Sequence, residues 1–237
     1  MKTLVSQPGL VQQVQDAIVA EIASGKLAPG ARIIQQQLAQ DLGVSRQPVQ
    51  QALAVLRKLH VLHDAPGRGL QVAPLDLDHV RNMYDMRAVI EGLAFREAAS
   101  RNALRAAAEG PALLAAGRKA VAQGAVAAMI KADVAFHNFV YTLSENPLIA
   151  PAMETHWTNT QRVMGEVLMR DERPRNIWDQ HEALLDLLIA GDGNKAEKLA
   201  RQHIEQAADF MIRRLGRMHN GNGGSESDRA HHPETHT

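Results

Sequence analysis

The stretch LAQDLGVSRQPVQQALAVLRKLHVL, residues 38–62, predicts two short helices joined by a tight turn. The first helix, over residues 35–42, ends at Gly43, and the second follows Ser45, a favourable N-cap residue. Pro48 falls within the first turn of the second helix, where a missing backbone donor costs little. The second helix carries an apolar stripe formed by Val49, Leu53, Leu56 and Leu59. This arrangement is typical of a helix-turn-helix.

Flanking segments extend this unit into a small domain. Residues 10–24 follow the helical period, and Ile33 and Ile34 could form a very short strand. Residues 61–63 and 70–72 flank DAPGRG, residues 64–69, which predicts a hairpin with a basic tip. Residues 1–75 are therefore predicted to form a winged helix-turn-helix domain that binds DNA, with a generic small helical domain as the alternative.

The charge of the chain is unevenly distributed. Over all 237 residues the formal net charge is zero. Residues 1–75 hold seven Lys and Arg against four Asp and Glu, a modest basic excess. This excess agrees with a nucleic-acid-binding N-terminal domain.

The segment 76–217 predicts a second, all-helical domain. Apolar residues follow the helical period near 77–100, 111–122, 125–144, 148–170, 175–190 and 193–215, with one break predicted at Gly110-Pro111. Because strand-like alternation does not occur there, we predict a mainly α chain in which an antiparallel α-helical bundle follows the winged helix-turn-helix. Residues 218–237 lose the apolar periodicity and are expected to form a disordered tail.

Asp133 and His137 lie four residues apart, so on a helix their side chains leave the same face about one turn apart. His181 and His203 lie in two other amphipathic stretches, which neighbouring helices of a bundle could bring to the first pair. One carboxylate and three imidazoles suit zinc best, with nickel, manganese or iron(II) also possible. Chance is the alternative, because the chain contains 11 His. Of these, His231, His232 and His236 lie in the tail and are expected to be solvated.

Composition also bears on the compartment. The chain contains no cysteine, which excludes disulfides and thiolate metal sites. The first ten residues, MKTLVSQPGL, lack a long apolar region, and a run of about 18 apolar residues is absent from the sequence. We therefore expect a cytoplasmic protein without a signal peptide or a membrane span.

The quoted stretch, followed by GRGLQV at residues 67–72, closely resembles the winged helix of the GntR family of bacterial transcription regulators. The second domain resembles the FCD effector domain of the FadR-type subgroup. That likeness runs through YDMRAVIE at 84–91, DVAFH at 133–137 and ENP at 145–147, and through His181 and His203. It implies a homodimer that binds a pseudo-palindromic operator and a small organic acid in a metal-bearing helical pocket. A repressor released by its effector is the expected mode of regulation, with activation as the alternative.

The resemblance and the helix geometry together predict the DNA contacts. Arg46 and Gln50 lie four apart on the recognition helix, where Arg suits guanine and Gln suits adenine. The family often has Arg at the position of Gln50, so the base preference of this chain is expected to differ. The remaining predicted contacts are Gln47 near the bases, Ser45 and Arg32 near phosphates, Arg68 at the wing tip, and Gln36, to which the sequence assigns no particular DNA group.

In the second domain, Arg87 is the predicted clamp for the effector carboxylate, since a guanidinium binds a carboxylate with two parallel hydrogen bonds. Tyr84 and Glu91 share its helix face, and an ion pair between Arg87 and Glu91 is the alternative. Arg162 and Asn159 are predicted as further effector contacts.

Two other functions compete with that of an acid-responsive regulator. A metalloenzyme would use an open metal position, but His181-Glu182 does not continue into the HExxH motif because residue 185 is Leu. A purely structural metal would tie the bundle together, with all its coordination positions closed by protein. We predict a regulator and not an enzyme.

Overall fold

The computed structural model of the protein describes residues 9–170 and 177–222. It confirms the predicted fold class, because a small domain with a three-stranded sheet precedes a domain built from helices alone. None of the described helices combines the length and the apolar character needed to cross a membrane.

The N-terminal domain contains three helices and a small sheet. The helices are α1 (Leu10–Ala23), α2 (Gln35–Asp41) and α3 (Arg46–Lys58). The strands β1 (Arg32–Ile33), β2 (Leu62–Asp64) and β3 (Leu70–Val72) form an antiparallel sheet in the order β1-β3-β2. The predicted stripe of α3 is largely correct, since Val49, Leu53 and Leu56 are buried against Ile18 of α1.

Local backbone chemistry explains where α2 and α3 meet. Gly43 adopts a φ of 65°, a conformation that residues with a Cβ rarely adopt. Ser45 occupies the N-cap position of α3 with an extended backbone, as predicted, but its side chain makes no capping hydrogen bond. The hydroxyl of Ser45 therefore remains available on the exposed surface at the start of the recognition helix.

Within residues 77–170 and 177–222, the second domain contains six helices: α4 (Leu77–Arg101), α5 (Ala103–Gln123), α6 (Val126–Ser144), α7 (Ile149–Arg170), α8 (Ile177–Ile189) and α9 (Gly193–Asn222). The start of α4 is capped by Asp76, whose carboxylate accepts a hydrogen bond from the backbone N–H of His79 at 2.8 Å. The most extensive helix contact is between α4 and α9, and α6 packs against α4, α5 and α7. The helices α4, α6, α8 and α9 surround the candidate site.

The structure corrects the predicted boundaries in two places. The break at Gly110-Pro111 is wrong, because α5 runs through it with Pro111 inside the helix. Gly110 lies so close to α8 that an added Cβ would fall 2.4 Å from Leu185 Cδ1, so packing against α8 overrides the local helix-breaking preference. At the C-terminus, α9 continues past Gly216 to Asn222, into the predicted tail. The rest of that tail, including His231, His232 and His236, lies outside the described residues.

Candidate functional site

Three histidines from three different helices converge in the interior of the second domain. His137 comes from α6, His181 from α8 and His203 from α9, and their exposed fractions are 1%, 0% and 4%. One nitrogen from each ring can be chosen so that all three atoms lie within 4.8 Å of one another. The structure therefore brings together the three imidazoles that the sequence placed on separate helices.

Asp133 lies at the edge of this group. Its Oδ1 atom is 3.5 Å from His181 Nε2 and 4.0 Å from His137 Nε2. The carboxylate is buried, and burial raises the pKa of Asp133 while the neighbouring His137 opposes that shift. A cation bound between Asp133 and the imidazoles would favour the ionised carboxylate and offset the cost of burying it.

Neighbouring side chains orient two of the rings. His137 Nδ1 contacts Glu91 Oε2, and His203 Nδ1 lies 2.7 Å from Gln180 Oε1. Because an oxygen acceptor faces each Nδ1, the tautomer with the proton on Nδ1 would leave the lone pair of each Nε2 available to a metal. Metal-binding histidines are commonly held in this way by an acceptor behind the ring. Gln180 was not predicted from the sequence, and Glu91 was predicted only as a possible partner of Arg87.

His181 is the strongest indication of a metal site. Among the described residues, neither ring nitrogen of this fully buried side chain has a hydrogen-bond partner. Burial, followed by the nearby His203 and His137, holds the pKa of His181 well below its usual value. Burial likewise lowers the pKa of His203 to about 3, so both rings are neutral, which is the form that binds metals. The donor set fits a divalent transition metal.

Arg87 is already engaged within the protein. Its Nη2 and Nε atoms both lie 2.8 Å from Glu91 Oε1, and its Nη1 atom donates to Thr160 Oγ1 at 3.3 Å. The guanidinium also lies over the rings of Tyr84 and Trp157, at 5.0 and 4.6 Å from their centroids. Burial alone would raise the pKa of Glu91, but Arg87 and His137 together outweigh burial and lower it to about 2. The ion pair considered as the alternative is therefore present, and it is buried.

A cavity of about 60 Å³, measured as the space open to the centre of a water molecule, lies beside the histidines. Its polar lining is concentrated in five residues: Tyr84, Arg87, Asp133, His137 and His203. The rest of its wall is apolar and comes from Val121, Met129, Met164, Leu168, Ile177, Trp178, Ile204, Ala207 and Met211. Tyr84 and Arg87 thus lie where an effector contact was predicted, next to the candidate metal ligands.

Arg162 and Asn159 do not line this cavity; the structure places them at the contact between the two domains. Arg162 Nη2 donates to the carbonyl of Ala73 at 2.6 Å, and Asn159 Nδ2 donates to the carbonyl of Leu59 at 3.0 Å. In this structure, Arg162 and Asn159 therefore make contacts between the domains in place of the predicted effector contacts. The sequence predicted a helix over residues 148–170, but helical periodicity does not specify which neighbours Asn159 and Arg162 meet.

The predicted DNA contacts all lie on the surface of the N-terminal domain. The exposed set comprises Arg32, Gln36, Ser45, Arg46, Gln47, Gln50 and Arg68. In the free protein Arg32 stabilises the wing, because its Nη2 donates to the carbonyl of Pro66 at 2.6 Å. Nearby Asp64 is paired with Arg57 at 2.6 Å. A winged helix-turn-helix with exposed basic residues on its surface is typical of a DNA-binding regulator.

Comparisons with known proteins agree with this class. Residues 10–72 match "Bacterial regulatory proteins, gntR family", and residues 82–206 match the FCD domain. The "Probable D-xylose utilization operon transcriptional repressor" of Paenarthrobacter nicotinovorans is 28% identical over 195 residues, covering 82% of this chain and 85% of that protein. McbR of Escherichia coli (strain K12) is 28% identical over 211 residues, with coverages of 88% and 95%. The solved structure "E. coli McbR/YncC" has a TM-score of 0.77 at 24% identity, covering 89% of this chain and 99% of that one.

The chain belongs to the GntR family of bacterial transcription regulators, and its second domain is an FCD domain. It is a DNA-binding regulator and not an enzyme, which confirms the prediction and excludes the metalloenzyme alternative. Both matched ranges fall within the domains predicted at 1–75 and 76–217.

Proposed function

We propose that this regulator binds a divalent transition metal through Asp133, His137, His181 and His203. The observation that carries the proposal is His181, fully buried among three other candidate ligands with both ring nitrogens unsatisfied within the described part of the chain. Zinc is the first choice, and nickel, manganese or iron(II) suit the same donors. The bound ion would supply a Lewis-acid attachment point for a carboxylate oxygen.

The effector we propose is a small monocarboxylic acid with an apolar body. In the buried site Arg87 and Glu91 cancel each other's charge, Asp133 cancels one charge of a divalent ion, and the coordinating imidazoles are neutral. One positive charge remains, which a single carboxylate neutralises; a second carboxylate would be buried without a partner. The apolar lining of the rest of the cavity favours a hydrocarbon or aromatic body over a hydroxylated one.

A purely structural ion is the competing proposal for the metal. Such an ion would have its coordination closed by protein. Here Asp133, His137 and His203 themselves line the cavity, so an ion held by them would be accessible to a ligand in it. This accessibility favours an effector site, and it makes binding of an acid that depends on the metal the distinguishing observation.

On the DNA side, we propose that a homodimer binds a pseudo-palindromic operator in the cytoplasm, because one small winged domain contacts too few base pairs for useful specificity. Repression released by the acid is the proposed mode, by analogy with the repressor named in Paenarthrobacter nicotinovorans. Arg46, Gln47 and Gln50 would contact bases. Phosphate contacts would come from Ser45, Arg32 and Gln36, and Arg68 would enter the minor groove.

Arg46→Ala should weaken operator binding by about 1 to 3 kcal/mol, since Arg46 is exposed at the N-terminal end of α3 and suits a guanine edge. Duplexes selected from random DNA by the parent protein provide the operator, and fluorescence anisotropy provides the affinity. Lys119→Ala, an exposed cation on α5, is the matched control and should bind like the parent. Parent-like affinity of Arg46→Ala would remove α3 as the recognition helix.

A further inference from the structure

Helix α7 contacts the effector cavity on one side. Its Met164 and Leu168 side chains form part of the cavity wall, and its Thr160 hydroxyl accepts the hydrogen bond from Arg87 Nη1. Both the wall and the buried ion pair are therefore in direct contact with the same helix. A ligand that enters the cavity must pack against α7.

Another side of α7 binds the N-terminal domain through backbone carbonyls. Leu59, whose carbonyl accepts from Asn159, is the C-cap residue of the recognition helix α3. Ala73, whose carbonyl accepts from Arg162, directly follows the wing strand β3. Arg162 Nη1 also donates to Asn159 Oδ1 at 3.1 Å, so the two side chains form one unit. This unit ties the end of the recognition helix and the end of the wing to α7.

The two domains also pack closely around Gly165. A Cβ added at this position would lie 2.3 Å from the carbonyl oxygen of Ala23, so the backbones of α7 and α1 are in contact. Ala23 shares a buried apolar cluster with Ile130 and Leu168, to which Met164 adds. Leu168 thus contacts the cavity on one side and the N-terminal domain on the other.

Burial makes this contact specific in its geometry. Asn159 and Arg162 are 6% and 4% exposed, so their hydrogen bonds to Leu59 and Ala73 are largely shielded from water. Burial lowers the pKa of Arg162 to about 10, which leaves the guanidinium charged at neutral pH. A buried cation and two buried carbonyls would each lose a partner if the domains shifted, and such losses are costly. The contact therefore favours one relative position of the domains.

We propose that Asn159 and Arg162 are positioning residues that fix the recognition helix and the wing, and that α7 transmits occupancy of the cavity to them. The inference rests on the proposed function for the identity of the ligand. A ligand that displaces Met164 or Leu168 changes the position of α7. The carbonyls of Leu59 and Ala73, which Asn159 and Arg162 bind, then change position as well. By linkage, the same contact lets DNA binding change the affinity of the cavity for its ligand.

Hydrogen–deuterium exchange of the full-length protein tests this proposal. Asn159→Asp keeps the shape of the side chain and its acceptor for Arg162 but cannot donate to Leu59. Gly165→Ala separates α7 from α1 without touching the hydrogen bonds, and Thr155→Ala, an exposed change on the same helix, is the control. Each protein is measured without metal, with zinc, and with zinc plus benzoate as a probe acid.

Without metal, the backbone amide hydrogens of segments 57–62 and 71–75 should exchange about 5- to 150-fold faster in Asn159→Asp and Gly165→Ala than in Thr155→Ala. In the parent protein, zinc plus benzoate should change exchange in these two segments by at least about fivefold. In Asn159→Asp this effect of zinc plus benzoate on the two segments should disappear. The ligands should still slow exchange in α6, α8 and α9 of that variant.

Two results would overturn the proposal. In the first, zinc plus benzoate changes exchange in segments 57–62 and 71–75 equally in the parent and in Asn159→Asp. In the second, the ligands protect α6, α8 and α9 of the parent without changing exchange in those two segments. If neither zinc nor benzoate protects those helices, the proposed function fails instead. The metal-free comparison then decides the positioning role, which is rejected if Asn159→Asp and Gly165→Ala exchange like Thr155→Ala.

Discussion

Replacing Glu91 by alanine should lower the free energy of unfolding of the metal-free protein by about 3 to 5 kcal/mol. Arg87 and Glu91 are 4% and 0% exposed, and Glu91 is the carboxylate that balances the buried guanidinium. Removing it leaves a buried cation that keeps its hydrogen bond to the hydroxyl of Thr160, at 3.3 Å, and its contacts with the two aromatic side chains. Breaking one partner of a buried pair costs far more than the pair itself contributes.

Chemical denaturation of the metal-free protein provides the measurement. Glu109→Ala is the matched control, because Arg105 and Glu109 form a pair with the same spacing on the surface, at 46% and 50% exposure. Its removal should change stability far less, since exposed pairs are screened by solvent. The double variant Arg87→Met/Glu91→Met should be more stable than Glu91→Ala. Equal effects of Glu91→Ala and Glu109→Ala would contradict the buried pair described here.

The second large effect concerns the metal. His181→Ala and His203→Ala should each weaken zinc binding by more than about 100-fold, because loss of a ligand exceeds the 10- to 100-fold cost of losing a supporting residue behind one. Gln180→Ala, which removes only the acceptor behind His203, should fall within that smaller range. Asp133→Asn should weaken binding by removing the charge while keeping the shape.

Competition with a chromophoric chelator measures these affinities. The control is a triple alanine variant of His231, His232 and His236, which should bind zinc like the parent if the buried site is the metal site. Parent-like zinc binding by the His181→Ala/His203→Ala double variant would place the metal elsewhere and reject the proposed ligand set.

The fold was predictable because local signals and tertiary packing agree in the N-terminal domain. Gly43 adopts the positive φ of the predicted turn, and the apolar spacing of Val49, Leu53 and Leu56 matches the buried face of α3. The break at Pro111 was wrong because contact between Gly110 and Leu185 stabilises a continuous α5. A local helix-breaking signal is weaker than packing along a whole helix face.

The site shows the limit of the same reasoning. Helical spacing places Asp133 and His137 on one face, and the structure brings them together with His181 and His203. Spacing cannot identify partners on other helices. For this reason Arg162 was assigned to the effector instead of to Ala73 in the other domain, and the supporting role of Gln180 was missed. Glu91 lies one helical turn after Arg87, so the sequence could indicate a pair between these two residues. The contact of His137 with the second carboxylate oxygen of Glu91 depends on how the helices pack.

Operator titration in the presence of defined ligands tests most directly whether the cavity controls DNA binding. Fluorescence anisotropy on the selected duplex is measured for metal-free protein, zinc-loaded protein, and zinc-loaded protein with benzoate or with succinate. We predict that benzoate weakens operator binding by about 5- to 150-fold only when zinc is present, and that succinate has a much smaller effect. Operator affinity that is unchanged by benzoate, or a benzoate effect that persists in the metal-free His181→Ala/His203→Ala variant, would contradict the account.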